Sequence, residues 1–260
     1  AIVHVLKKEF DRFGCEGALV ISSLGGGTGT LAGPMLAKDV MENVARDTAT
    51  LFVVTLPLRI TPKDLANAQM GLDFIIDNKL RPIVIDMERV AEALRLSKKH
   101  LAEAAIYEKG KDMVADMLAT LITILNNRLA SIPPYDFGNV DTLIKSAPPE
   151  AIGAMMWSSY RSLKEMEKNW KVDMSVWQSV KAGMLEKATS VAFLVGRDIP
   201  EKLHQELMKF LMERYNVGKD DLLVPLVNMD GYIVMVNVWG LDPKTIEPPL
   251  MPRGVKRPRW

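Results

Sequence analysis

Cysteine is almost absent from this chain: Cys15 is the one thiol in 260 residues. That rules out an internal disulfide framework and fits a reducing compartment. Histidine is nearly as scarce. His4, His100 and His204 stand far apart, with no paired ligand spacing, so no metal site is expected from them. No apolar run reaches the roughly 18 residues of a membrane-spanning helix, and a cytoplasmic protein is the expectation. Charge of either sign is not in excess: 33 Lys and Arg face 32 Asp and Glu, for a net +1. No global field therefore draws the chain to nucleic acid. Repeats and low-complexity blocks are missing as well. Glutamine is sparse beside abundant lysine and glutamate, a composition that leans towards a thermophile.

What is present is an ordinary globular composition, 48% hydrophobic and 25% charged. Apolar runs at 17–24, 50–58 and 82–87 read as buried strands. Helical patterns at 32–45 and 61–78 lie between them, and an amphipathic helix over 1–13 precedes them. Thr61 is the expected N-cap of the 61–78 helix, with Pro62 in its first turn. Strand, helix, strand, helix, strand predicts an α/β unit with a parallel sheet. From Leu96 to Leu129 no proline occurs, and Val114, Leu118, Leu121, Leu125 and Leu129 keep one apolar stripe. A single long helix is expected there, with Gly110 its weak point. Beyond the break at 130–139, helices are expected near 148–156, 158–170 and 175–186. A strand (189–195), a helix (199–216) and a hairpin of 222–228 with 231–238 around Asp230-Gly231 follow. Trp157, Trp170 and Trp177, among many methionines, suit a packed core. The layout thus has two sheets, one on each side of a long connecting helix.

The stretch "ALVISSLGGGTGTLAGP" carries the chemistry. Gly25, Gly26, Gly27 and Gly29 form the turn between a buried strand and a helix. Such a turn lets backbone N–H groups converge, and the following helix adds its positive dipole end; Thr28 and Thr30 add hydroxyls. A phosphate group is the natural guest. The Walker pattern is excluded, because no lysine stands between Gly25 and Pro34. A dinucleotide pattern fits formally as Gly27-x-Gly29-x-x-Ala32, but the next strand ends Val54-Thr55-Leu56-Pro57 without the acid that holds a ribose.

Residues 25–30, Gly-Gly-Gly-Thr-Gly-Thr, resemble the signature loop of the tubulin/FtsZ family, with Leu31 where that family usually has a further glycine. The segment "GNVDTLI" (138–144) is similar to the family's second catalytic loop, Asn-x-Asp-x-x-Asp: Asn139 and Asp141 match, and Ile144 replaces the last carboxylate. The resemblance implies a parallel-sheet nucleotide-binding domain joined by a long core helix to a smaller α+β domain. The boundaries are 1–95 for a partial GTP-binding domain, 96–130 for the core helix, 131–241 for the C-terminal domain and 242–260 for a basic tail. It implies GTP or GDP on Gly25, Gly26, Gly27, Thr28, Gly29 and Thr30, with Mg²⁺ on the phosphates and Asp141 and Asn139 as the hydrolytic pair supplied by a stacked neighbour. Asp116 or Asp112 would read guanine, although a solvated helix face is the plainer reading of each. The family's Glu and Arg after the second strand are not evident; Ile60 or Thr61, and Lys63 or Asp64, stand roughly there.

An isoleucine cannot orient water, and losing one such group slows a reaction by about 10²- to 10⁴-fold. Weak or absent GTP hydrolysis is therefore expected. Capping of the following helix is the plainer role for Asn139 and Asp141. Only 24 residues precede Gly25, fewer than the family's earlier nucleotide-binding strands need, so a fragment of a longer chain is expected. The implied protein is a divergent, archaeal member of that family that associates head to tail with itself or with a related filament subunit. The alternative is a non-hydrolysing relative that scaffolds or caps a filament; a dinucleotide-dependent oxidoreductase is a third reading. The tail "PLMPRGVKRPRW" is a candidate for partner or membrane contact, with a solvated end as its plain reading.

Overall fold

A computed structural model describes residues 2–46, 48–97, 103–127, 131–132, 135, 137–176 and 183–246. The basic tail from residue 247 onward, His100 and Trp177 lie outside the described residues.

Strands β1 (Gly17–Ser23), β2 (Ala49–Leu56) and β3 (Ile83–Asp86) pair in parallel, in the order β1-β2-β3. Helices α2 (Gly27–Asp39) and α3 (Pro62–Asp77) connect them, and α1 (Ile2–Arg12) leads in. The sequence of β2, ATLFVVTL, is apolar on both faces, as a central parallel strand requires. Phe52, Val54 and Leu56 point towards Ala68, Leu72 and Ile75 of α3. Leu51 and Val53 face the opposite layer, built from α4 (Met87–Ser97) and α5 (Glu103–Asn126).

Of the stretch expected as one long helix, the structure describes two parts. α5 has 24 residues, about 36 Å at 1.5 Å per residue, and Arg95 to Ser97 belong to the end of α4. Gly110 sits within α5 where a Cβ would come 3.2 Å from Met87 Cε, so its weakness as a helix former is offset by close approach of α4.

The segment expected as a helix near 148–156 is a strand, β5 (Ile152–Tyr160), which runs antiparallel to β9 (Tyr232–Leu241) along its whole length. Its residues are buried on both faces, so the continuous apolar run carries no period to separate helix from strand. β5 also pairs with β3 through Ile83 and Val84 opposite Gly153 and Ala154. That contact fuses the expected two sheets into one of nine strands, ordered β1-β2-β3-β5-β9-β6-β8-β4, with β7 on β6. Here β4 is Ser131–Ile132, β6 is Met184–Val195, β7 is Val217–Leu223 and β8 is Leu226–Val227. The expected hairpin does not form. Pro225 divides 222–228 into β7 and β8, and β9 pairs with β5 and β6 instead. Three helices complete the fold: α6 (Phe137–Ser146), α7 (Leu163–Val176) and α8 (Glu201–Tyr215). The part of 175–186 from Met184 onward is strand, not helix.

Candidate functional site

β1 ends at Ser23, and the Leu24 N–H holds the exit by donating to Thr55 O at 2.9 Å. Gly25 has φ +114°, which favours glycine, and a Cβ there would press on Pro57. Helix α2 begins at Gly27, earlier than the sequence suggested, with Gly26 extended as its N-cap. A Cβ on Gly29 would lie 2.0 Å from Ser23 O, and one on Gly33 would lie 2.0 Å from Ser22 Oγ. Those two glycines let α2 lie against β1. Gly26 and Gly27 differ: a Cβ on either meets nothing within 4 Å. They face open space, which is where a ligand's phosphates would rest.

Thr30 lines the hollow beside Gly27, but its hydroxyl is turned into the loop. It is buried, its hydroxyl accepts from the Gly25 N–H at 3.0 Å, and it donates to Gly26 O. Its role is to lock the turn. Asn67 of α3, which sequence reasoning missed, adds a second tie by donating from Nδ2 to Gly25 O at 2.7 Å. No side chain caps α2. The leading N–H groups of a helix have no intrahelical acceptor, so those of Gly26, Gly27, Thr28 and Gly29 remain for an anion. Thr28 is exposed beside them.

A cavity of about 690 Å³ opens at Gly25 and Gly26, at the C-terminal ends of β1 and β2. Thr61, Asp64 and Lys111 supply its polar wall, and Pro57, Ile60 and Val114 its apolar one. Lys111 was not foreseen. Asp112 and Asp116 are exposed on α5 and are not among the cavity's lining residues. A smaller apolar hollow lies on the other side of Gly27, where Leu31 and Met70 form its wall. Beneath the large cavity, Arg59 grips the fully buried Asp86 with two nitrogens; its Nη2 reaches Oδ2 at 2.7 Å and its Nη1 reaches Oδ1. Burial pushes the Asp86 carboxyl up, while Arg59 and the Glu88 N–H pull it back.

The second candidate pair lies elsewhere. Asn139 and Asp141 are inside α6, which starts at Phe137, so neither is an N-cap. Asn139 is exposed, and Asp141 is half-buried and ion-paired to Lys145 at 2.5 Å. Ile144 is buried in the core. Asp141 shares a small cavity with Thr50 and Arg81, at the N-terminal ends of β2 and β3. Burial pulls the Arg81 guanidinium down, and the carboxylates of Glu150 and Asp141 oppose that shift. β2 separates this cavity from the glycine turn by about 23 Å, at 3.3 Å per residue. One chain therefore does not bring Asp141 to its own glycine turn. Among the described residues no cluster of His, Cys, Asp and Glu could hold a metal ion by itself.

No family model matches the chain. The cell division protein FtsZ of Aquifex aeolicus is 25% identical over 198 residues, which is 73% of this chain and 49% of that relative. CetZ from Methanosaeta thermophila superposes with a TM-score of 0.65 at 19% identity, covering 92% of this chain and 65% of that one. An empty FtsZ dimer of M. jannaschii gives 0.68 at 16%, covering 91% and 66%. A GTPγS-bound protofilament of CetZ2 from Haloferax volcanii gives 0.67 at 16%, covering 95% and 70%. The chain spans about half the length of the curated relative and about two thirds of these solved structures. It has the tubulin/FtsZ-like fold, and its sequence resembles FtsZ.

Proposed function

We propose that this chain is a guanine-nucleotide-binding, cytoskeletal subunit that associates head to tail. The observation that carries the reading is the pair Gly26 and Gly27 at the uncapped start of α2, each open where a Cβ would stand, with Gly26 on the large cavity and Gly27 on the hollow beside it. The similarity to FtsZ and to a GTPγS-bound CetZ2 protofilament supports guanosine phosphates as the guest. The N–H groups of Gly26, Gly27, Thr28 and Gly29 would bind the phosphates, while Thr30 and Asn67 hold the turn rigid for them. A Mg²⁺ ion on the phosphates would neutralise charge, with Asp64 as a carboxylate on the cavity wall. Lys111 adds a cation on the opposite wall.

Hydrolysis would need the second site of a neighbouring copy, because Asp141 lies at the far end of β2. That site is poorly equipped for it. Asp141 is held by Lys145, and the position of a further carboxylate is the buried Ile144. A subunit that binds nucleotide and assembles, with little or no turnover, is the reading these residues support.

Fluorescent GTP titrated into the chain tests it. Saturable binding displaced by GTP and not by ATP is expected, with affinity reduced by at least about tenfold, or 1.4 kcal/mol, in Gly26→Val. Equal binding by that variant would overturn the assignment of the loop.

A further inference from the structure

The cavity that holds Asp141 has an unusual wall. Four cations line it: Arg46, Lys79, Arg81 and Lys145. The lining holds one carboxylate, Asp141, which is already paired to Lys145, while Glu150 acts on Arg81 from outside it. Arg46 and Lys79 have no ion pair among the described residues. Arg81 ties its Nε to Ala147 O at 3.2 Å, and its two terminal nitrogens have no protein acceptor among the described residues.

Two threonines line the same cavity. Thr50, at the start of β2, is 7% exposed, and its Oγ1 is buried without a hydrogen-bond partner; the Thr48 hydroxyl is likewise unpartnered. A buried hydroxyl left unpaired is destabilising, because it has given up its water without gaining a partner. Two together, under four cations, indicate a missing acceptor. Lys79 and Arg81 also hold φ at +56° and +45°, on either side of the buried Leu80. Side chains in that backbone region persist where the surroundings dictate them, and such positions recur at ligand clamps. The cavity holds about 100 Å³, roughly three waters at 30 Å³ each. That suits a single small oxyanion.

We infer that this cavity, at the opposite end of β2 from the glycine turn, is an anion site for one phosphate group, held by the Thr48 and Thr50 hydroxyls, Arg81 and Lys79. Arg46 and Lys145 focus the field at its mouth. The phosphate group has two sources. One is a free inorganic anion. The other is a terminal nucleotide phosphate carried by an adjoining copy, and that source rests on the head-to-tail reading proposed above.

Amide NMR of the full chain, titrated with inorganic phosphate in the absence of nucleotide, tests the free-anion source. Shifts at Thr48 to Thr50 and Lys79 to Arg81, apart from any at Gly25 to Thr30, are expected. They should require about tenfold more phosphate in Thr50→Val and in Lys79→Gln. Thr50→Val replaces an unpaired buried hydroxyl with a methyl of the same shape, so a merely structural Thr50 would leave the variant as stable or more so with phosphate response intact. GTP-dependent sedimentation is the second arm. Assembly lost in both variants, while each still binds GTP as a monomer, assigns the phosphate to the neighbouring copy. Silence in both arms, or wild-type behaviour of both variants, overturns the inference. In a chain that binds no GTP the nucleotide reading fails, and the phosphate titration alone decides this one.

Discussion

At the scale of single residues, the four glycines of the turn look alike in sequence, and the structure divides their work. Gly29 is required because α2 lies so close to β1 that a methyl would strike Ser23 O, and Gly25 because of its positive φ. Gly26 and Gly27 answer to no such contact. Gly29→Ala should therefore destabilise the fold by about 1–3 kcal/mol through overpacking. Gly26→Ala should leave the melting curve in place and weaken nucleotide binding. Thermal denaturation and a GTP titration of both variants check the split; a Gly26→Ala that melts early would remove the ligand argument. Arg59 and Asp86 offer a second contrast. Removing the cation alone, in Arg59→Met, strands a buried carboxylate and should cost about 3–5 kcal/mol in chemical denaturation. The double variant Arg59→Met with Asp86→Leu should recover most of that loss. Neither partner drew notice in the sequence, because they stand 27 positions apart and only the parallel register of β2 and β3 brings them together.

At the scale of elements, legibility followed periodicity. β1, β2, β3 and α3 were readable because a buried parallel strand and an amphipathic helix leave different patterns between clear stops. β5 was not, since IGAMMWSSY is buried on both faces and has a single β-branched residue, Ile152, beside helix-favouring Ala and Met. Its state is set by pairing with β9, some seventy residues later, which no local window contains. The turn at Asp230-Gly231 misled for the same reason: the local signal was correct for a bend, and the partner of β9 was decided elsewhere. In the site, the glycine turn was legible because three glycines with Thr-Gly form a specific pattern. The Thr50 cavity was not, because its cations come from three separate segments: the turn before β2, the loop between α3 and β3, and α6. Helix α1 shows a further limit. Its amphipathic pattern is strong, yet none of its residues is buried; Val3 and Phe10 pack on Val40, Val44 and Ala45, while Val5 and Phe13 stay exposed. Val5→Lys and Phe13→Ser should thus leave the melting temperature unchanged, whereas Phe10→Ala should lower stability by about 1–2 kcal/mol. Equal losses in all three would mean that the stripe is covered in solution.

At the scale of the molecule, the two candidate sites lie at opposite ends of one strand, and that geometry bears on what assembly is open to the chain. A contact that joins the glycine-turn end of one copy to the α6 end of the next is heterologous, and each added copy presents the same free end again. Such an assembly can be dissected with two separate lesions. Gly26→Val fills the space at the glycine turn and blocks one end. Asn139→Arg places bulk on the exposed start of α6 and blocks the other. Each variant alone should remain monomeric with GTP, at concentrations where the wild type sediments. Mixed, the two retain one intact end apiece of complementary kind, so a dimer is the expected product and growth should stop there. Analytical ultracentrifugation reads the result directly. A single variant that dimerises alone would point to an isologous contact, and a mixture that stays monomeric would exclude the head-to-tail arrangement. Any GTP turnover belongs to the shared interface on the same logic: it should be undetectable in either variant, present in the mixture, and steeply dependent on total protein, because only association brings Asp141 of one copy to the phosphates on another.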